Sequence, residues 1–172
     1  MLKKNLKTTL VKRRGVNTHN MKTSKTGVQM IKAFEGLGDG NKVTKGIYEP
    51  YKDCVGVWTI GYGSTYLLDG SKVSATTKPL TEPECEALLM KTLGTYEAPV
   101  NELKLTQNQY DACVSLCYNI GTGNFKSSTV YKKLLKGEKP TMENWLAWNK
   151  AKGKVLPGLT KRRTVEWSYF NK

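Results

Sequence analysis

Apolar positions along this chain recur mostly at helical spacing, with one stretch that alternates instead. In TGVQMIKAFEG, Val28, Ile31 and Phe34 fall three residues apart, and Met30 and Leu37 widen the stripe. Gly36, Gly38 and Gly40 then end the predicted helix, which leaves Glu35 in its last turn. The alternating stretch is Tyr48 to Gly63, YEPYKDCVGVWTIGYG. Aromatic and β-branched residues flank a turn-forming centre, Asp53 to Gly56, and predict a hairpin. Alternation puts Val57 and Thr59 on one face, Trp58 and Ile60 on the other. Gly61 and Gly63, inside the second run, mark a bulge or a close backbone approach. Residues 64–80 are polar and turn-rich, with a turn expected at Asp69-Gly70.

From Thr81 onward the helical period returns. Thr81 and Glu84 form a capping box, and Ala87, Leu88, Leu89, Met90 and Leu93 give the following helix a broad apolar face. Thr106 and Gln109 form a second box, opening a helix with Tyr110, Cys113, Val114 and Cys117 on one side. Ser127 or Ser128 caps a helix that Gly137 ends. Thr141 opens another, through Trp145 and Trp148 to Gly153, and Pro157 leads a last helix through LTKRRTVEWSYF. The second half therefore reads as helices throughout, and the fold class as α+β, mostly helical. Trp145 and Trp148, at helical spacing with Leu146, read as core.

Length and composition fit one soluble globular domain: 172 residues, 38% hydrophobic, 24% charged. No apolar run approaches the roughly 18 residues of a transmembrane helix. The net charge of +14 changes the picture, because it predicts attraction to polyanions. Six basic residues and no acidic one lie in residues 1–20. Residues 1–22 are read as a basic, disordered arm ahead of a folded domain. No aromatic interleaves with those lysines, so no specific nucleic-acid partner is expected. The scattered apolar residues of the arm do not make a signal-peptide core.

The only histidine, His19, falls in the arm, which excludes a histidine triad or a multi-histidine metal site for the domain. The cysteines, at 54, 85, 113 and 117, contain no CxxC pair and are read as reduced; Cys113 and Cys117 are expected buried and Cys54 a bystander in the hairpin. Two carboxylates remain as candidates for chemistry. Carbonyls at a helix C-terminus and apolar neighbours both disfavour the ionised form of Glu35, which suits a general acid. Asp53, in a polar turn, ionises more easily. One protonated acid and one carboxylate are the equipment of glycoside hydrolysis. The alternative is that both are ordinary surface residues.

The order of segments decides between these. Glu35 at a helix end, then Tyr51-Lys52-Asp53, five residues, and TIGYG resembles the bacteriophage-type lysozymes, glycoside hydrolase family 24. YNIGTGNF and WNKAKGKVLPGLTKRRTVE extend the resemblance and are similar to its lambdoid-phage branch. It covers the chain from Thr23 to the C-terminus. Residues 39–47 make a longer loop than the family pattern, and Ser64 stands where some relatives carry a histidine.

The resemblance implies a two-lobed fold within residues 23–172. A small β lobe would span about 38–80 and a helical lobe about 100–172, joined by the helix from Thr81. It implies a peptidoglycan muramidase with Glu35 as acid, and Asp53 with Thr59 holding the attacking water. Tyr118 and Asn119 would contact substrate. Arg162, Arg163 and Glu166 are read as a surface or inter-helix ion-pair network. No metal or cofactor is needed. A phage endolysin of this kind is expected to be a monomer, held in the host cytoplasm until a separate holin-type pore-former releases it to the wall. Two other readings are an inactive lysozyme-like binder of wall or polyanion, and a virion-associated lysozyme.

Overall fold

A computed structural model describes residues 20–36, 43–44, 46–53 and 55–172. The expectations placed on residues 1–19, Leu37, Gly38, Gly40 and Cys54 lie outside the described residues. In chain order the elements are α1 (Lys25–Glu35), β1 (Val43–Thr44), β2 (Ile47–Tyr48), β3 (Tyr51–Lys52), β4 (Trp58–Thr59), β5 (Leu80–Thr81), α2 (Glu82–Val100), α3 (Gln107–Ile120), α4 (Thr122–Ser127), α5 (Thr129–Leu135), α6 (Met142–Leu146), β6 (Lys150–Ala151), β7 (Lys154–Val155) and α7 (Pro157–Phe170). The fold is mostly helical with short antiparallel strands, as the sequence predicts.

Helix α1 is fixed at its start by partners far along the chain. The Ser24 side chain caps it by accepting from the Gly27 N–H. Ser24 N donates to Asp111 Oδ1 at 2.9 Å, and the Ser24 hydroxyl donates to Asp111 Oδ2. Thr23 donates from both N and Oγ1 to the buried Glu97, at 2.8 and 2.9 Å. Met21 and Lys22, on the arm side of these contacts, already touch the body: Met21 O accepts from Tyr110 Oη, and Lys22 Nζ pairs with Glu97. Val28 and Ile31 enter the core; Met30 and Phe34 are only partly covered. Gly36 ends the helix at φ 59°, a left-handed value that disfavours a side chain, and its N–H closes on Lys32 O. Glu35 is thus the last residue of a helix anchored at its other end.

The predicted hairpin is β3 and β4, paired Tyr51 to Thr59 and Lys52 to Trp58. Tyr48 is not part of it. It sits in β2, between β1 and β5 in a separate three-stranded sheet. Pro50, which has no N–H for a ladder, stands between the two pairings. The expected two-face alternation fails as well: Val57 is 45% exposed, whereas Thr59 and Ile60 are both buried. The backbone turns at once after Ile60. Gly61 has φ 61°, and a Cβ there would lie 2.9 Å from the Cys85 side chain, so chain and helix α2 meet closely at this point.

The two capping boxes, Thr81 with Glu84 and Thr106 with Gln109, are present. On α2, Cys85, Leu88, Leu89 and Leu93 are buried while Ala87 and Met90 face outward, a narrower stripe than predicted. Leu88 joins a small cluster with Ile60 and Val73, and the adjacent Leu89 belongs to the main core. One helix therefore roots two separate apolar clusters. Helix α3 is the centre of the larger one, buried without a break from Tyr110 to Cys117, and it packs on α7, α2 and α1.

The second half is not helical throughout. Thr141 opens a helix of only five residues, α6, and the β6–β7 hairpin follows where a continued helix was expected. Lys152 at φ 49° and Gly153 at φ 76° make its turn, which a helix cannot accommodate. Ser128, not Ser127, caps α5, because Ser127 closes α4. Trp145 is fully buried and meets Trp167 and Phe170 at tilted ring angles, with Trp148 packed against the same core.

Candidate active site

Glu35 leaves the end of α1 a quarter exposed and meets a cation. Arg162 Nη1 on α7 lies 2.5 Å from Glu35 Oε1, and the same guanidinium lies 5.1 Å above the Phe34 ring. The remaining nitrogens of Arg162 face inward. Nε donates to Glu166 Oε1 at 3.1 Å, and Nη2 to Ser115 O at 3.2 Å. Glu166 is fully buried and also receives Ser115 Oγ at 2.6 Å and Arg163 Nη2 at 2.9 Å. Arg163 Nε lies 2.8 Å from Glu166 Oε2 without hydrogen-bond alignment. Burial pushes the Glu166 carboxyl up from its usual range, against the pull of Arg163 and Arg162. An inter-helix ion-pair network was expected from the sequence. The correction is that it is interior rather than superficial, and that it reaches the acid.

Asp53 is held by its own turn. Its Oδ1 accepts the N–H groups of Val55 and Val57, at 3.0 and 2.8 Å. Such an Asx-type turn fixes a carboxylate without a counter-cation. Thr59, nearly buried, donates its hydroxyl to Val57 O at 3.0 Å. Tyr51 is paired across from Thr59 and is half-buried. Its phenol is pushed up by burial first, then by the negative charges of Asp53 and Glu35. Tyr51 therefore lies within the field of both carboxylates.

Two more phenols feel the charge of Glu35. Burial, with Glu35 next, raises Tyr118, and burial, with Cys117 and Glu35, raises Tyr96. Their rings meet edge to face, 4.9 Å between centroids. Tyr118 Oη donates to Tyr62 O at 3.1 Å, tying α3 to the segment just after β4. Beside Glu35 runs a groove of about 980 Å³ between α1 and α7, lined by Met30, Phe34, Leu159, Val165 and Tyr169, with Asn119 and Arg162 at its edge. The groove brings Glu35 and Asn119 together. Asp53, Thr59 and Tyr118 do not line it; Thr59 is paired with Tyr51, and Tyr118 meets Tyr96. Among the described residues, no three His, Cys, Asp or Glu side chains converge as a metal site.

A model of the family described as phage lysozyme matches residues 41–166, most of the chain. The chain belongs to the phage lysozyme family. It is 37% identical over 158 residues to an endolysin of Acyrthosiphon pisum secondary endosymbiont phage 1, covering 87% of this chain and 98% of that protein. It is 38% identical over 132 residues to a SAR-endolysin of Enterobacteria phage P21, with 74% and 77% covered. Among solved structures it is similar to a mutant of P22 lysozyme, with a TM-score of 0.74 at 33% identity over 88% of this chain and 99% of that one.

In this phage lysozyme family member the segment matched by the family model begins after Glu35. Sequence reasoning missed Tyr96 and gave Arg162 no contact with the acid. Nothing local marks either one. Tyr96 falls on a helix whose stripe reads as core, and an arginine in a Lys-Arg-Arg run reads as solvated until the fold buries it.

Proposed function

We propose that this protein is a phage endolysin that hydrolyses the β-1,4 bond between N-acetylmuramic acid and N-acetylglucosamine in peptidoglycan. The observation that carries the reading is a pair of carboxylates in a phage lysozyme family fold, Glu35 at the end of α1 against Arg162 and Asp53 pinned in the turn of the β3–β4 hairpin. Glu35 protonates the leaving oxygen. Asp53 and Thr59 hold a water on the opposite sugar face. The Thr59 proton is committed to Val57 O, so its lone pairs are left to accept from that water, while Asp53 accepts the other hydrogen. A water donating both hydrogens keeps a lone pair for attack, and the anomer inverts. Tyr118 and Asn119 contact the glycan. The chemistry requires neither metal nor cofactor.

Residues 23–172 form the lysozyme domain, with a small β lobe at about 38–80 and a helical lobe at about 100–172; the two apolar clusters on α2 support this division. The basic surface concentrates the monomer on the anionic wall. Among the described residues no helix is long and apolar enough to cross a membrane. The enzyme waits in the host cytoplasm, and a separate holin-type pore-former gives it access to the wall. Turbidity loss of bacterial walls tests the catalytic assignment. Glu35→Gln is expected to reduce the rate by at least ~10²–10⁴-fold with the fold intact. Activity within a few-fold of wild type would remove Glu35 as the acid.

A further inference from the structure

The Arg162 guanidinium is a planar fork with three faces of donors, and all three are engaged. Nε is on Glu166, Nη2 on Ser115 O, and Nη1 on Glu35. Two of these contacts lie in the interior, where Arg162 is 5% exposed and Glu166 not at all. Because the fork is rigid, fixing Nε and Nη2 fixes the direction in which Nη1 points. Among the described residues Glu166 is the acid that touches both buried arginines, Arg162 and Arg163, which are adjacent on α7; Glu35 touches Arg162 alone. With Glu166 ionised, the interior cluster presents one net positive charge to Glu35. Without that charge, it presents two.

We propose that Glu166 is a positioning residue for the acid, which aims Arg162 at Glu35, cancels one of the two buried positive charges behind it, and so sets the alkaline limit of catalysis. This rests on the reading of Glu35 as the proton donor. The other groups around Glu35 do not supply a substitute. Tyr51 on β3, Tyr96 on α2 and Tyr118 on α3 feel the Glu35 charge, and burial is the first cause that keeps each phenol protonated. Lys161 lines the same groove on α7 and adds positive charge rather than balancing it. Asp53 is bound in its own turn. Cys113 also faces Glu166, and burial holds its thiol well up in the neutral form.

The sign follows from charge. A lysozyme whose acid must carry a proton loses activity as pH rises through the ionisation of that acid. An extra uncompensated cation behind the acid favours ionisation, so activity is lost at lower pH. The test is the pH profile of wall lysis by the full chain carrying Glu166→Gln, against wild type and Glu166→Asp. Glu166→Gln is nearly isosteric: it removes the charge, keeps an oxygen for Ser115 and the arginines, and turns an amide NH2 toward Arg163 Nε in place of Oε2. Its alkaline limb is expected to move toward acid relative to wild type. Its rate on the acid side should stay within a few-fold of wild type. Glu166→Asp, which restores the charge, should bring the limb back toward its wild-type position. A Glu166→Gln profile lowered at every pH with its limb unmoved would reduce Glu166 to a packing role and overturn the proposal.

If Glu166→Gln does not fold, the wild-type protein decides. In ¹³C-carboxyl spectra of glutamate-labelled protein, the Glu166 signal should remain that of a carboxylate throughout the alkaline limb. A Glu166 carboxyl that is protonated there would contradict the proposal. Glu35→Gln separates the two failures: if that variant still lyses walls, the acid assignment is what has failed.

Discussion

Arg162 and Glu35 lie 127 residues apart in the chain and share a 2.5 Å ion pair that joins the last helix to the end of the first. The acid is therefore held from both sides. Ser24 and Thr23 anchor the start of its helix on Asp111 and Glu97, and Arg162 grips its end. Replacing Arg162 by methionine leaves Glu166 and Glu35 each short of a partner. Breaking a buried ion pair by removing one partner costs about 3–5 kcal/mol. Thermal unfolding should show a clear drop in Tm for Arg162→Met and a much smaller one for Glu35→Gln, which keeps Arg162 paired with Glu166.

Thr59→Val keeps the branched shape and removes the hydroxyl. The variant loses one hydrogen bond, to Val57 O, worth about 0.5–1.5 kcal/mol, so it should fold. Its lytic rate should fall well below wild type if the threonine shares the attacking water with Asp53. Full activity in Thr59→Val would show that this water needs no second partner.

Gly27 sits inside α1, where alanine would ordinarily be favoured by about 1 kcal/mol. Here the site is closed. A Cβ would lie 2.6 Å from Asp111 Cγ and 2.8 Å from Thr23 Cγ2, in the contacts that anchor the helix. Overpacking costs typically ~1–3 kcal/mol and outweighs the helix propensity. Gly27→Ala should therefore be destabilised in denaturant titration. A variant as stable as wild type would mean that the anchor can shift without cost.

How much was legible beforehand differs between elements. The capping boxes at Thr81 and Thr106 were readable because they are local: a hydroxyl, a spacing of three and a side-chain acceptor. The β3–β4 hairpin was readable from its turn. The β6–β7 hairpin was not, since Trp145, Trp148 and the lysines mimic a helical stripe, and only the positive φ at Lys152 and Gly153 reveals the reversal. Glu35, Asp53 and Thr59 stand out as residue types in order. The partner of Glu35 does not, because the burial of Arg162 depends on Ser115 and Glu166 arriving from two helices.

Among the described residues three cysteines are buried, and burial is the first cause that raises each thiol: Cys85 from 9.0 to about 11, Cys117 to about 12, and Cys113 well above its ordinary value. Native protein at about pH 8 should leave all three unalkylated, as mapped by peptide mass spectrometry, because the thiolate is the reactive form. The folded state favours the protonated thiols. Their stabilising contribution is thus complete below the ordinary value of 9.0 and is lost as pH rises toward about 12. Rapid labelling of Cys85, Cys113 or Cys117 in folded protein would show local opening of α2 or α3.

The basic arm and surface should act through charge alone. Removing residues 1–20 takes away six positive charges and no negative ones. Wall binding at low salt should weaken while Tm stays nearly unchanged, and the difference should fade as ionic strength rises. A large fall in Tm on deletion would mean that the arm stabilises the fold rather than steering it.

The most direct test of the account is the chemistry of the new sugar ends after digestion of purified peptidoglycan. Mass spectrometry of the fragments, with and without borohydride reduction, identifies the terminal sugar. Reducing N-acetylmuramic acid ends, released with inversion as the α-anomer, are expected. Reducing N-acetylglucosamine or anhydro-muramic ends would contradict this, the first by placing the cut at the other glycosidic bond and the second by replacing water with the substrate's own hydroxyl.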